Sequence, residues 1–153
     1  MTQKLPEPML RAFTEAEKAA EGGEVPVGAV ITDKLGNILA VAGNRTLVDH
    51  DPTAHAELLA IREVAAKLGS ERLIDYDLYV TLEPCAMCAA AISFARLRRL
   101  YFAASDEKMG AVEHGPVFFS QPTCHHAPEV YGGIAATEAS AMLKAFFASR
   151  RDK

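Results

Sequence analysis

Short apolar runs alternate along the chain with stretches of helical periodicity, and that alternation leaves few folds open. Leu10, Phe13 and Ala16 to Ala20 recur at helical spacing, and Gly22-Gly23 ends the pattern. Val27 to Thr32 and Ile38 to Val41 are short β-type runs, and Asp33-Lys34-Leu35-Gly36-Asn37 between them reads as a hairpin loop. Leu58, Ile61, Ala65 and Leu68 mark one face of a second helix stopped by Gly69. Leu78 to Leu82 is a strand by composition. Pro84 suits the start of a third helix reaching about Arg96, and Leu100 to Ala103 follows as a strand. The stretch from Ser105 to His126 reads as a loop, with a short strand expected near Val130. A last helix carries Ala139, Met142, Leu143 and Phe146 as its core stripe. The order α-β-β-α-β-α-β-α predicts an α/β protein. Its sheet would be mostly parallel with one antiparallel hairpin, and helices would cover both faces.

A chain of 153 residues suits one domain, residues 1–153. It can bury its core without metal or disulfide help, so a metal here would serve chemistry. Charged residues at 24% exclude a disorder-like composition. The longest near-apolar run, Cys85 to Ala95, is too short to span a bilayer, and Met1 to Pro6 lacks the apolar stretch of a secretory signal. Three cysteines do not make a secreted disulfide framework, so a cytoplasmic protein without membrane association is expected. The net charge of −4 argues against a generally cationic surface. Two local basic clusters stand out against it: Arg96, Arg98 and Arg99, and Lys144, Arg150, Arg151 and Lys153. Both read as solvated helix ends that leave room for a basic rim.

Two motifs carry chemistry. His55-Ala56-Glu57 opens the second predicted helix, and Pro84-Cys85-Ala86-Met87-Cys88 opens the third. Cysteines three apart at a helix start point the same way, so both sulfurs can reach one metal. A helix N-terminus favours thiolates, the ligating form. With His55 as a neutral third ligand, one tetrahedral position stays open, as in catalytic zinc sites. Zinc lowers the pKa of water bound there from about 15.7 to about 7. Glu57 lies about 200° around the helix from His55, so it would serve the bound water as proton carrier instead of binding the metal. His-x-Glu followed by Pro-Cys-x-x-Cys is the established signature of the zinc deaminases. Either half alone is weak: Cys85 and Cys88 could form a redox pair, which would leave His55 and Glu57 without a role. Cys124-His125-His126 reads as loop packing, since adjacent residues rarely converge on one ion.

Beyond these motifs the chain closely resembles the bacterial tRNA-specific adenosine deaminases, the TadA family of the cytidine-deaminase-like superfamily. The matching segments include Glu24-Val25-Pro26-Val27-Gly28-Ala29-Val30, Gly43-Asn44-Arg45, Asp51 to Glu57 and Leu78 to Cys85. They continue through Asp106, Lys108 and Gly110 to Phe146-Phe147 and Arg150-Arg151. The resemblance implies a three-layer α/β/α sandwich around a mixed five-stranded sheet, and a homodimer. It implies conversion of the wobble adenosine of a tRNA anticodon loop to inosine, with one Zn2+ held by His55, Cys85 and Cys88 and with Glu57 as acid/base. It also implies that Asn44 meets the base and that the backbone at Ala56 and Cys85 holds the reacting centre. Asp106, Phe147 and Arg151 would lie against the RNA. The nearest rival is deamination of a free base or nucleoside, such as guanine or cytosine, by the same zinc site. A silent RNA-binding subunit is a further rival, and it gives Glu57 no reason to be there.

Overall fold

A computed structural model describes residues 5–151 of the chain, with side chains through Arg150. Helices α1 (Glu7–Glu21), α2 (Ala56–Leu68), α3 (Ala86–Ala95) and α4 (Ala136–Arg151) surround five strands. These are β1 (Gly28–Thr32), β2 (Ile38–Gly43), β3 (Asp77–Leu82), β4 (Arg99–Ala104) and β5 (Glu129–Tyr131). The sheet runs β2-β1-β3-β4-β5. One core lies between the sheet and α2 and α3, where Ala56, Ala60, Val64, Ile92 and Ala95 meet Ile31, Leu78, Val80 and Phe102. A second core lies on the other face, where Met9 and Ala12 of α1 and Ala139 of α4 meet Val30 and Ala103. The three layers are those the sequence implies. Every residue of β1 is buried because helices cover both its sides. No helix is long and apolar enough, among the described residues, to cross a membrane.

The sheet is less parallel than the alternating pattern predicts. β1 is antiparallel to β2 and also to β3, while β3–β4 and β4–β5 are parallel. The β2–α2–β3 crossover passes over β1, so the first strand of the hairpin sits between two strands that run against it. Local patterning shows that a hairpin exists but not which of its strands ends up inside. The β1–β2 register shifts between Ile31 and Thr32, a local irregularity in the ladder. The loop expected from Ser105 to His126 contains a 3-10 turn at Phe118–Ser120. β5 is only three residues long, and all three are exposed.

Two other expectations change. Arg98 and Arg99 are not solvated helix ends. Arg98 forks onto Asp77 at 2.6 and 2.9 Å, and Arg99 meets Glu129 at 2.7 Å. Their chain position explains this, since Arg98 directly precedes β4 and Arg99 begins it, and the neighbours β3 and β5 supply the acids. In α4, Ala139 is buried and Leu143 packs on the core, Met142 is half-buried outside it, and Phe146 does not join the core. By that point α4 has left β4 and reached the segment between α1 and β1, where Arg150 lies 4.9 Å over the Phe146 ring.

α1 rests on the sheet through a close backbone approach. A methyl at Gly28 would run into the Ala12 carbonyl and lie 2.7 Å from the Ala16 nitrogen. The Gly28 N–H donates to Thr81 Oγ1 at 3.1 Å, so β1 cannot retreat without breaking that bond. Gly28→Ala should therefore destabilise the protein by about 3 kcal/mol or prevent folding, because overpacking here moves a whole helix. Urea denaturation of the purified variant checks this, and a change within 0.5 kcal/mol (about the scatter of neutral surface substitutions) would contradict it.

Candidate metal centre

The crossovers bring the N-termini of α2 and α3 together at one end of the sheet. His55 caps α2 in extended conformation (φ −79°, ψ 148°), and Cys85 caps α3 likewise (φ −73°, ψ 176°). Cys88 follows in the first turn of α3. His55 Nδ1 stands 3.6 Å from Cys85 Sγ and 3.6 Å from Cys88 Sγ. All three donor atoms lie within 4.8 Å of one another. Tetrahedral zinc with bonds of about 2.3 Å to sulfur and 2.05 Å to nitrogen separates those atoms by roughly 3.6 Å. The donor set therefore fits a divalent ion in spacing and in chemistry, and the positive ends of two helices favour its thiolates.

The electrostatics point the same way. Cys85 is drawn down to about 4, first by its hydrogen bond from Cys88 and then by His55, against the opposing effect of burial. Cys88 is pushed far up by its hydrogen bond to Cys85 and by burial. His55 is raised by its bond to Cys85. Glu57 is only 4% exposed, and burial pushes its carboxyl up to about 7, within the range that suits proton transfer at neutral pH.

Three further polar side chains shape the surroundings. Asn44 Oδ1 accepts the Ala56 N–H at 2.9 Å, and its Nδ2 donates to the Val25 carbonyl at 3.2 Å. Its amide thus ties the end of β2 both to the start of α2 and to the segment leading into β1. Glu24 is buried and accepts from Thr46 Oγ1 and from the N–H groups of Leu47 and Val48. Glu83, fully buried in its side chain, accepts from the N–H groups of Asp106, Val112, Glu113 and His114 at 2.9–3.2 Å and from His114 Nδ1 at 2.8 Å. Burial alone would push Glu83 up, yet these bonds hold it below the usual carboxylate range. Sequence reasoning assigned no role to Glu24 or Glu83. The available signal was a carboxylate directly before Pro84 and another directly before Val25-Pro26-Val27, each inside an apolar stretch.

Of the expected site residues, His55, Glu57, Cys85 and Cys88 come together, with Ala56 and Asn44 beside them. Asp106 stands on the adjoining loop, where its carboxylate accepts the Lys108 and Met109 N–H groups. Phe147 is 44% exposed near the end of α4 and stands edge-on to Phe146. The Arg151 side chain lies outside the described residues. Cys124 lies outside the His55, Cys85 and Cys88 group. It contacts Ser93 and the His126 carbonyl, while His126 Nε2 reaches the Leu97 carbonyl.

Comparison with known proteins agrees with this centre. Residues 2–104 match the family model of the cytidine and deoxycytidylate deaminase zinc-binding region. The tRNA-specific adenosine deaminase of Agrobacterium fabrum is 58% identical over 140 residues, 92% of this chain and 91% of that protein. That of Rickettsia bellii is 47% identical over 145 residues, 94% of this chain and all of its own length. A solved structure from a study of A-to-I editing by tRNA:A34 deaminases at the wobble position superposes with a TM-score of 0.87 at 58% identity. It covers 89% of this chain and 98% of that one. A zinc-type donor set beside a buried glutamate, on a scaffold shared with these relatives over nearly their whole lengths, places the chain among the tRNA-specific adenosine deaminases of the cytidine-deaminase-like superfamily.

Proposed function

We propose that this protein, acting as one domain, converts the wobble adenosine of a tRNA anticodon loop to inosine. The convergence of His55, Cys85 and Cys88 beside the buried Glu57 carries the reading. The reaction forms a bond from water oxygen to C6 of the base and breaks the bond from C6 to the exocyclic amine, which leaves as ammonia. His55 Nδ1 and the sulfurs of Cys85 and Cys88 would hold the zinc. When bound, zinc would supply Lewis acidity, lowering the pKa of a coordinated water to about 7. Glu57 would carry one proton of the attacking water to a ring nitrogen and the other, from the new C6 hydroxyl, to the leaving amine, ending in the state it began. Its raised affinity for protons suits a group that must accept and donate in one cycle. The backbone at Ala56 and Cys85 frames the reacting centre, and Asn44, fixed by Ala56 and Val25, forms the wall that meets the base.

An anticodon loop is single-stranded, so extruding one base costs less than opening a duplex. A groove of about 370 Å³ runs along the end of α4, lined by Val25, Leu47, Phe146, Phe147 and Arg150 among others. Aromatic faces with one cation are the chemistry that stacks bases and meets phosphate, which fits an acidic chain with a local RNA surface. Phe147 and Arg151 on α4 and Asp106 on the loop are proposed RNA contacts. A homodimer is proposed with α3 at its interface, since Phe94 stands 77% exposed on that helix. A cytoplasmic location is proposed from the tRNA substrate.

Incubation with anticodon stem-loops and with free purines, read by mass spectrometry for amine-to-carbonyl exchange, tests the assignment. Inosine should form in the stem-loop, and turnover of a free base alone would replace this reading with the rival. Glu57→Gln should cut inosine formation by about 10³-fold while keeping the zinc content of the wild type. A variant that retains activity would remove Glu57 from the chemistry. Removal of residues from Ala148 onward should damage activity on RNA and spare any activity on free bases, as parallel kinetics would show. Zinc affinity, measured by chelator competition, should fall as pH falls, because protons then compete for both sulfurs and the imidazole. An affinity that stays flat through the acid range would overturn the ligand assignment.

A further inference from the structure

Glu83, Glu113 and His114 form a second cluster with metal-ligand chemistry, their ligand atoms within 4.8 Å. The Glu83 carboxylate is already surrounded by donors. Oε1 accepts from the Asp106 N–H and His114 Nδ1, and Oε2 from the N–H groups of Val112, Glu113 and His114. Those N–H groups present their positive ends to the carboxylate from several sides, an arrangement that favours an anion at the centre and opposes an approaching cation. The loop itself is the ligand, wrapped around a side chain that leads directly into Pro84 and Cys85.

That wrapping fixes the loop against the metal centre. Gly110 pairs with Cys85 in an isolated antiparallel bridge, and the Ala111 N–H donates to the Pro84 carbonyl at 2.9 Å. A methyl at Gly110 would sit 2.5 Å from Glu83 Oε2, so the loop closes this tightly only with glycine there. Asp106, where the loop begins, has its N–H on Glu83 and its own carboxylate on the Lys108 and Met109 N–H groups. The turn at 106–109 therefore projects from an anchor that is itself buried, and Glu107, Lys108 and Met109 are exposed on it.

We propose that Glu83 is a positioning residue for RNA recognition, holding the 106–114 loop as one wall of the substrate cleft and presenting the Asp106 turn to the anticodon loop. This rests on the deaminase reading above. Glu83 touches no reacting atom; it acts through the loop and so affects substrate binding more than the chemical step.

The test is Glu83→Gln, which keeps the shape but turns one acceptor into a donor facing N–H groups. Amide hydrogen exchange of residues 106–114 should quicken about tenfold or more, with α3 as protected as before and the zinc content unchanged. KM for an anticodon stem-loop should rise about tenfold while kcat changes less than about threefold. In an Asp106→Ala background the same substitution should add little to KM, because both act through one turn. Glu83→Asp, which draws the carboxylate back from the loop amides by one methylene, should reproduce the effect and serves if Glu83→Gln does not fold. Unchanged protection of 106–114 in a folded variant would overturn the proposal. So would a fall in kcat at constant KM, or fully additive effects with Asp106→Ala. A wild-type protein inactive on every stem-loop would sink the deaminase reading and the RNA role with it. The exchange measurement would still decide whether Glu83 holds the loop.

Discussion

The structure depends on two helices beginning at the same place. Each follows an extended residue that caps it, and each cap supplies a donor atom, His55 Nδ1 or Cys85 Sγ. Thiolates gathered on a buried face would ordinarily be costly. Here the starts of two helices lie beside them, and an imidazole shares the charge. The sheet makes the meeting possible, since β2–α2–β3 and β3–α3–β4 place both helices on one side with their starts at one end. Packing of small residues such as Ala56, Ala60 and Ala95 on that side lets the helices lie close to the strands.

Buried carboxylates organise what surrounds the centre. Glu24 gathers the chain after Asn44, and Glu83 gathers the chain after Asp106, each by accepting successive backbone N–H groups. A loop has no repeating ladder to satisfy its amides, and a central anion supplies the missing acceptors. The two loops on either side of the centre are thus held by side chains that belong to the scaffold, which suits a cleft that must keep its shape before RNA arrives.

The sequence made the centre itself legible because its signal is local. His55-x-Glu57 and Cys85-x-x-Cys88 are read from spacing alone, and helix periodicity places both at helix starts. Element order was legible for the same reason. Strand direction was not, because the placement of β1 between β2 and β3 is decided by a crossover that no short window contains. Arg98 and Arg99 looked like free charge because their partners, Asp77 and Glu129, are 21 and 30 residues away. Phe146 kept the apolar spacing of its helix, yet helix periodicity does not say where the helix outruns the sheet beneath it. Glu83 was missed because a carboxylate next to a metal motif draws no notice until the amides it collects are visible.

The brevity of β5 and the broken register between β1 and β2 have a consequence for life at high concentration. A lateral strand with a long, regular row of unpaired amides invites another molecule to zip onto it and start a fibre. At one margin this sheet offers three residues, and at the other a hairpin whose ladder is distorted. Neither margin gives an incoming strand a straight template, so association is steered away from polymeric growth.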